Sequence, residues 1–142
     1  MYTALLHTHN TMRWIVLVMA VVALYKSWTG WKGNKPFESS DNKIGTFFIA
    51  SLHLQLLLGL SLFFISPAIQ LALSDMGAAM ADKALRFKLI EHPLTMIIGL
   101  VIAQIGRIKS KKAATDELKH KHAAVFFTVA LVLILSRIPW GN

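Results

Sequence analysis

The sequence contains no cysteine. Disulfides, iron–sulfur clusters, thiolate metal sites and the covalent CxxCH attachment of haem are therefore excluded. Charge is also scarce. Asp, Glu, Lys and Arg together make up 15% of 142 residues, against roughly 25% in an average soluble domain. Acidic residues are scarcer still, seven against fifteen Lys and Arg, for a net charge of +8. No Gly-rich phosphate loop, HExxH motif or nucleophile–base constellation is present, which argues against a kinase or hydrolase. Hydrophobic residues fill the gap at 55%, and the mean hydropathy is +0.54. Intrinsic disorder requires the opposite composition. A chain of this length is one domain in size, and it is too apolar to hide its side chains from water. Length and hydropathy together point to a small polytopic membrane protein.

Four apolar runs predict four transmembrane helices, over about 5–26, 44–66, 86–108 and 118–138. Each is close to the ~20 residues that cross a bilayer, and lipid forces each to be helical by leaving backbone groups no other partner. The expected fold is all-α: one integral membrane domain over 1–142, a four-helix up-down-up-down bundle. Trp14, Trp28, Trp31 and Trp140 fall at span ends, where interfacial aromatics belong. The first run does not read as a signal peptide, because Lys26 follows the apolar stretch and no small-residue cleavage site comes after it. Residues 67–86 predict a short helical connection lying on the surface. Thr115, Asp116 and Glu117 read as the capped start of the fourth helix.

The basic residues are distributed asymmetrically. Ten Lys and Arg flank the loops after the first and third spans, and five lie towards the other side. The positive-inside rule places the ten in the cytoplasm and both termini outside. The positive charge thus has a topological explanation, and nucleic acid is not expected as a partner. The bilayer is.

Six histidines stand out: His7, His9, His53, His92, His120 and His122. Polar groups at membrane depth are rare and usually face the bundle interior. At ~1.5 Å per residue, His9 stands roughly 25 Å above Lys26, and His92 stands roughly 22 Å above Arg107. The two match within a turn on helices that lie diagonally across an up-down bundle. Two such histidines can bind haem iron from opposite faces. His9 is preferred to His7 because Arg13 lies one turn along on its own face. Arg13, Arg86, Lys88 and Arg137 lie at the same level, and of these the arginines suit haem propionates best. A stripe of Thr95, Gly99, Ala103 and Gly106 leaves room for a flat macrocycle, or equally for close helix packing. Pro93 predicts a kink beside the site. His53, with His120 or His122, forms a second candidate haem site, although His53 lies roughly 15 Å from Lys43 and the other two sit at the inner boundary. For His53 the competing expectation is a hydrogen bond to Gln55, Ser51 or Gln104. For the KHKH pair it is a basic face on anionic lipid.

The segments HTHNTMRW, HLQLLLGLSLFFISP, RFKLIEHPLTM, GRIKSKKAATDELKHKH and a terminal IPW together resemble a group of short bacterial four-span membrane proteins labelled cytochrome b. The resemblance covers nearly the whole chain. It implies non-covalent haem b, one or two per chain, bearing on His7 or His9, His53, His92 and His120. It further implies electron transfer in a bacterial inner membrane beside a larger respiratory partner, or in a homo-oligomer. Two other functions fit a histidine-bearing bundle. One is a cofactor-free accessory or assembly subunit of a membrane complex. The other is a copper- or zinc-handling protein using His9, His92 and Glu91.

The orientation is directly testable in a chain without native thiols. Single cysteines replacing Asn34 and Ala113 are expected to be labelled only from the cytoplasm, and one replacing Ala78 only from outside. The reverse pattern would invert the topology.

Overall fold

The computed structural model describes residues 1–140; Gly141 and Asn142, at the end of the expected domain, lie outside it. In chain order the helices are α1 (Tyr2–Lys32), α2 (Ser39–Ile65), α3 (Pro67–Ser74), α4 (Met76–Ala81), α5 (Lys83–Arg86), α6 (His92–Lys112) and α7 (Asp116–Ser136). No strand occurs among the described residues. Four stretches are long and apolar enough to cross a membrane: α1, α2, the run Lys83–Lys112 that contains α6, and α7. The chain is a multi-pass membrane protein folded as an all-α, up-down-up-down four-helix bundle. α1 and the run Lys83–Lys112 pass their expected spans at both ends, and α2 and α7 begin early but stop at Ile65 and Ser136, just short of the expected ends; helix propagation continues beyond the apolar core once nucleated.

Local chemistry sets the boundaries. Glu38 and Asp41 cap α2 reciprocally, and Asp41 Oδ2 accepts from the Glu38 backbone N–H at 2.9 Å. Pro67 ends α2 by forcing Ser66 into an extended conformation, with ψ at 128°. Thr115 Oγ1 accepts from Leu118 N–H at 3.2 Å, the expected cap of α7. Between α5 and α6 the helix widens into a π-turn over Phe87–Glu91, where the His92 N–H bonds the Phe87 carbonyl. Pro93 explains it. Proline lacks an N–H, and its ring crowds the carbonyl four residues back. The expected kink is therefore realised as one widened turn. The connection after α2 is helical as expected, but in three short pieces. Ile69, Ala72 and Ala79 from it cluster with Leu89 as a small separate core over one end of the bundle.

Around the bundle the neighbours are α1–α2, α2–α6, α6–α7 and α7–α1, so α1 and α6 are diagonal. The α6–α7 seam is the most extensive and the α2–α6 seam the thinnest. The main core is small-residue rich, with Ala20, Ala23, Ala103 and Ala130 around a Phe48–Phe127 edge-to-face pair. The outward faces carry Val18, Val21, Tyr25, Phe64 and Val132, each more than half exposed. Such a surface suits lipid and would aggregate in water.

The small stripe on α6 serves packing. A Cβ on Gly99 would sit 2.9 Å from Ile134 Cγ1, and one on Gly106 would overlap Phe126. Ala103 is fully buried. Gly99 and Gly106 therefore face α7, which decides for the close-packing alternative at these two positions. Without a hydrophobic drive between helices in lipid, close backbone approach is what joins them.

The end carrying the two interhelical loops is closed by polar contacts. Arg107, 6% exposed, reaches from α6 to α2. Its Nη2 donates to the Asn42 carbonyl (3.1 Å), Asn42 Oδ1 (2.5 Å) and Thr46 Oγ1 (2.9 Å). Ser110 Oγ donates to the Lys119 carbonyl, and Trp28 Nε1 to Thr128 Oγ1 at 2.9 Å.

The glycine contact predicts a measurable loss. Gly106→Val is expected to destabilise the detergent-solubilised protein by about 1–3 kcal/mol, the usual range for overpacking. Gly77→Ala, whose Cβ would meet nothing nearer than 3.7 Å, is expected to be near neutral. Thermal unfolding of the two variants side by side checks this.

Candidate functional site

At the opposite end, where α1 begins and α7 ends, the bundle is not closed. A cavity of about 380 Å³ opens between α1, α2 and α6, within the roughly 300–1,000 Å³ of small-molecule and cofactor sites. It sits beside the thin α2–α6 seam. Its walls are mostly apolar, from Leu17, Leu56, Phe63 and Met96, with a few polar groups among them. The face α6 turns to it is His92, Pro93, Met96 and Leu100, at helical spacing.

His9 and His92 are brought together across this cavity, as their matched depth predicts. Their ring centres are 6.5 Å apart and their planes perpendicular. His7 is exposed and takes no part. His92 Nδ1 lies 2.7 Å from the Arg137 carbonyl. A carbonyl only accepts, so Nδ1 carries the proton and Nε2 is the nitrogen left for a ligand. The Phe87 ring stacks on His92, with centres 6.1 Å apart. Three polar atoms of residues lining the cavity are buried without a hydrogen-bond partner among the described residues: His9 Nδ1, Arg13 Nε and Gln55 Oε1. Each such atom costs about 1–3 kcal/mol. All three lie at this one end of the bundle.

The cations divide differently from expectation. Arg13 and Lys88 line the cavity. Arg13 also sits over the Trp14 and Trp140 rings, 5.1 and 5.7 Å from their centres. Arg86 and Arg137 do not line it. Both are tied to Glu91, Arg86 at 3.0 Å and Arg137 at 3.7 Å. Both pair with a local carboxylate, so of the four expected cations Arg13 and Lys88 are the ones placed at the cavity wall. Glu91, correspondingly, is not a partner of Arg13.

His53, His120 and His122 are not gathered into a second site. His53 Nε2 pairs with Gln104 Oε1 at 3.0 Å on the lipid-facing surface between α2 and α6. His120 is 1% exposed. It packs over Gly30, against the Phe37 ring at 5.1 Å, with Nε2 3.3 Å from the Pro36 carbonyl. His122 lies beside Phe126. Helix length keeps His53 in mid-span and the other two at the loop end. The copper or zinc arrangement fails as well, since among the described residues no group of three His, Cys, Asp or Glu side chains can hold a metal ion.

Two residues of the site were missed from sequence. Gln55 Nε2 donates to the His9 carbonyl at 2.8 Å. Gly59, one turn further along α2, leaves space that a Cβ would take 3.2 Å from His9 Cε1. Their spacing of four residues on one face of the second span was the available signal. Comparison with known proteins leaves the geometry to stand alone: no family model, no curated protein and no solved structure matches this chain.

Proposed function

We propose that the chain is a small b-type cytochrome of the bacterial inner membrane, with both termini outside and a haem b in the cavity between His9 and His92. The observation that carries this is the diagonal histidine pair. A metal–imidazole bond is about 2 Å long and the ring centre lies about 1 Å further, so two imidazoles on one metal atom have centres roughly 6 Å apart. The 6.5 Å between the His9 and His92 ring centres is of that size. The rings meet edge to face in the structure, so taking a metal from both sides requires at least one to turn its nitrogen inward. The donor set suits iron in a porphyrin, which needs only two protein ligands. It does not suit a bare ion, which needs more.

The chain's residues would divide the work as follows. His92 is held with Nε2 free by the Arg137 carbonyl. His9 approaches from the diagonal helix. Arg13 and Lys88 supply positive charge to propionates from the cavity wall. Leu56, Phe63, Met96 and Leu100 would give the group an apolar, water-excluding surround. The haem itself supplies reversible one-electron transfer, with orientation and potential set by these groups.

A second function has one observation in its favour. The lipid-facing His53–Gln104 pair places polar groups at mid-bilayer, where they would be better satisfied against another protein. An accessory subunit of a respiratory membrane complex, or a homo-oligomer, fits that face.

Purified protein is expected to show a Soret band and a reduced α band. His92→Ala is expected to abolish both, and His53→Ala to keep them. A normal haem spectrum in His92→Ala would sink the assignment, and a colourless wild type would leave the accessory function. Arg13→Gln is expected to retain haem with a lowered potential, because a positive charge near the iron favours the reduced, less positive state. Redox titration of the α band measures it.

A further inference from the structure

Two of the three unpartnered atoms at the cavity belong to residues already bonded to each other. Gln55 Nε2 donates to the His9 main-chain carbonyl at 2.8 Å. Because that carbonyl only accepts, the amide nitrogen must face it, and Oε1 is fixed as the free, accepting end. His9 Nδ1 is buried and idle beside it, and Gln55 Oε1 is buried and idle too. One can donate and the other can accept. They are not bonded to each other in the structure. The His9 ring packs closely over Gly59, where a Cβ would come within 3.2 Å of His9 Cε1, so the glycine is what lets the ring lie against α2 at this point.

His92 shows what the completed arrangement looks like. Its Nδ1–H donates to the Arg137 carbonyl at 2.7 Å, which fixes both the tautomer and the ring. Metal-bound histidines almost always donate their second N–H in this way, and the acceptor raises the basicity of the ligand. Among the described residues no acceptor serves His9 Nδ1.

We propose that Gln55 is the positioning residue of His9. When His9 turns Nε2 towards a metal atom in the cavity, its Nδ1–H donates to Gln55 Oε1. This deepens the haem assignment above and rests on it. The two histidines are then unlike. His92 is preset by the main chain, and His9 is set by a side chain as the cofactor enters. Arg13 Nε, the third unpartnered atom, is the rival donor for Gln55 Oε1. Haem carboxylates at the cavity wall would draw it away, so a single loaded state satisfies all three atoms.

The test uses the full-length, detergent-solubilised holoprotein and reads haem affinity and reduction potential. Gln55→Leu and Gln55→Met remove the acceptor without adding charge. Both are expected to hold haem about 10–100-fold more weakly, the usual effect of losing such a partner. Both are expected to raise the potential, since a less basic ligand stabilises the oxidised iron less. A tenfold change in the oxidised-to-reduced preference is ~59 mV for one electron. Gln55→Glu, a stronger acceptor, is expected to lower the potential. If either neutral variant folds poorly, the other decides. A potential unchanged in the neutral variants, or one that moves only with Gln55→Glu, overturns the role of Gln55 while leaving the haem assignment intact. A wild type that binds no haem overturns both.

Discussion

Lipid offers no partner to a polar group, so every polar side chain at depth has to find one within the protein. The two ends of this bundle meet that constraint in opposite ways. At the loop end it is met in full. Arg107 bonds α2 through Asn42 and Thr46, Ser110 bonds the start of α7, and Trp28 bonds Thr128. At the terminal end it is not, and His9, Arg13 and Gln55 each keep an idle buried atom. The tight α6–α7 seam and the thin α2–α6 seam follow the same gradient. The molecule is a closed base carrying an open mouth.

The mouth is also where the negative charge is rationed. Glu91 occupies both Arg86 and Arg137. That holds the chain after α7 in place, so the Arg137 carbonyl stays on His92. The same pairing leaves Arg13 and Lys88 as the cations facing the cavity. A single carboxylate thereby sorts four basic residues into two that brace the wall and two that face its contents. Trp14 and Trp140 flank Arg13 with aromatic faces, a contact that keeps a cation in place without neutralising it.

Much of this was legible in the sequence. Hydropathy gave four spans, and the depth of His9 and His92 followed from counting residues to the nearest basic flank. Both rest on a fixed rise per residue, which lipid does little to disturb. The rotation of each helix was harder to read. The stripe on α6 could face either a cofactor or a neighbour, and only the position of Ile134 and Phe126 decided for the neighbour. Arg107 read as a topological charge because sequence carries no sign that Asn42 and Thr46 lie within its reach. The pairing of Arg86 and Arg137 with Glu91 was hidden for a related reason. Their competition for Glu91 depends on the π-turn and on the chain bending back after α7, and neither has a periodic signature.

The diagonal placement of His9 and His92 has a consequence for how the protein is made. The chain consists of two sequential hairpins, α1 with α2 and α6 with α7, each able to pair as it leaves the ribosome because its contacts are local. His9 belongs to the first and His92 to the second. Until the last helix has been synthesised and the hairpins have docked, the two rings are separate. Anything gripped by both can therefore be captured only after translation is nearly finished, and once captured it fastens one half of the chain to the other across the weakest seam. A ligand that binds only the docked form adds its binding free energy to that docking.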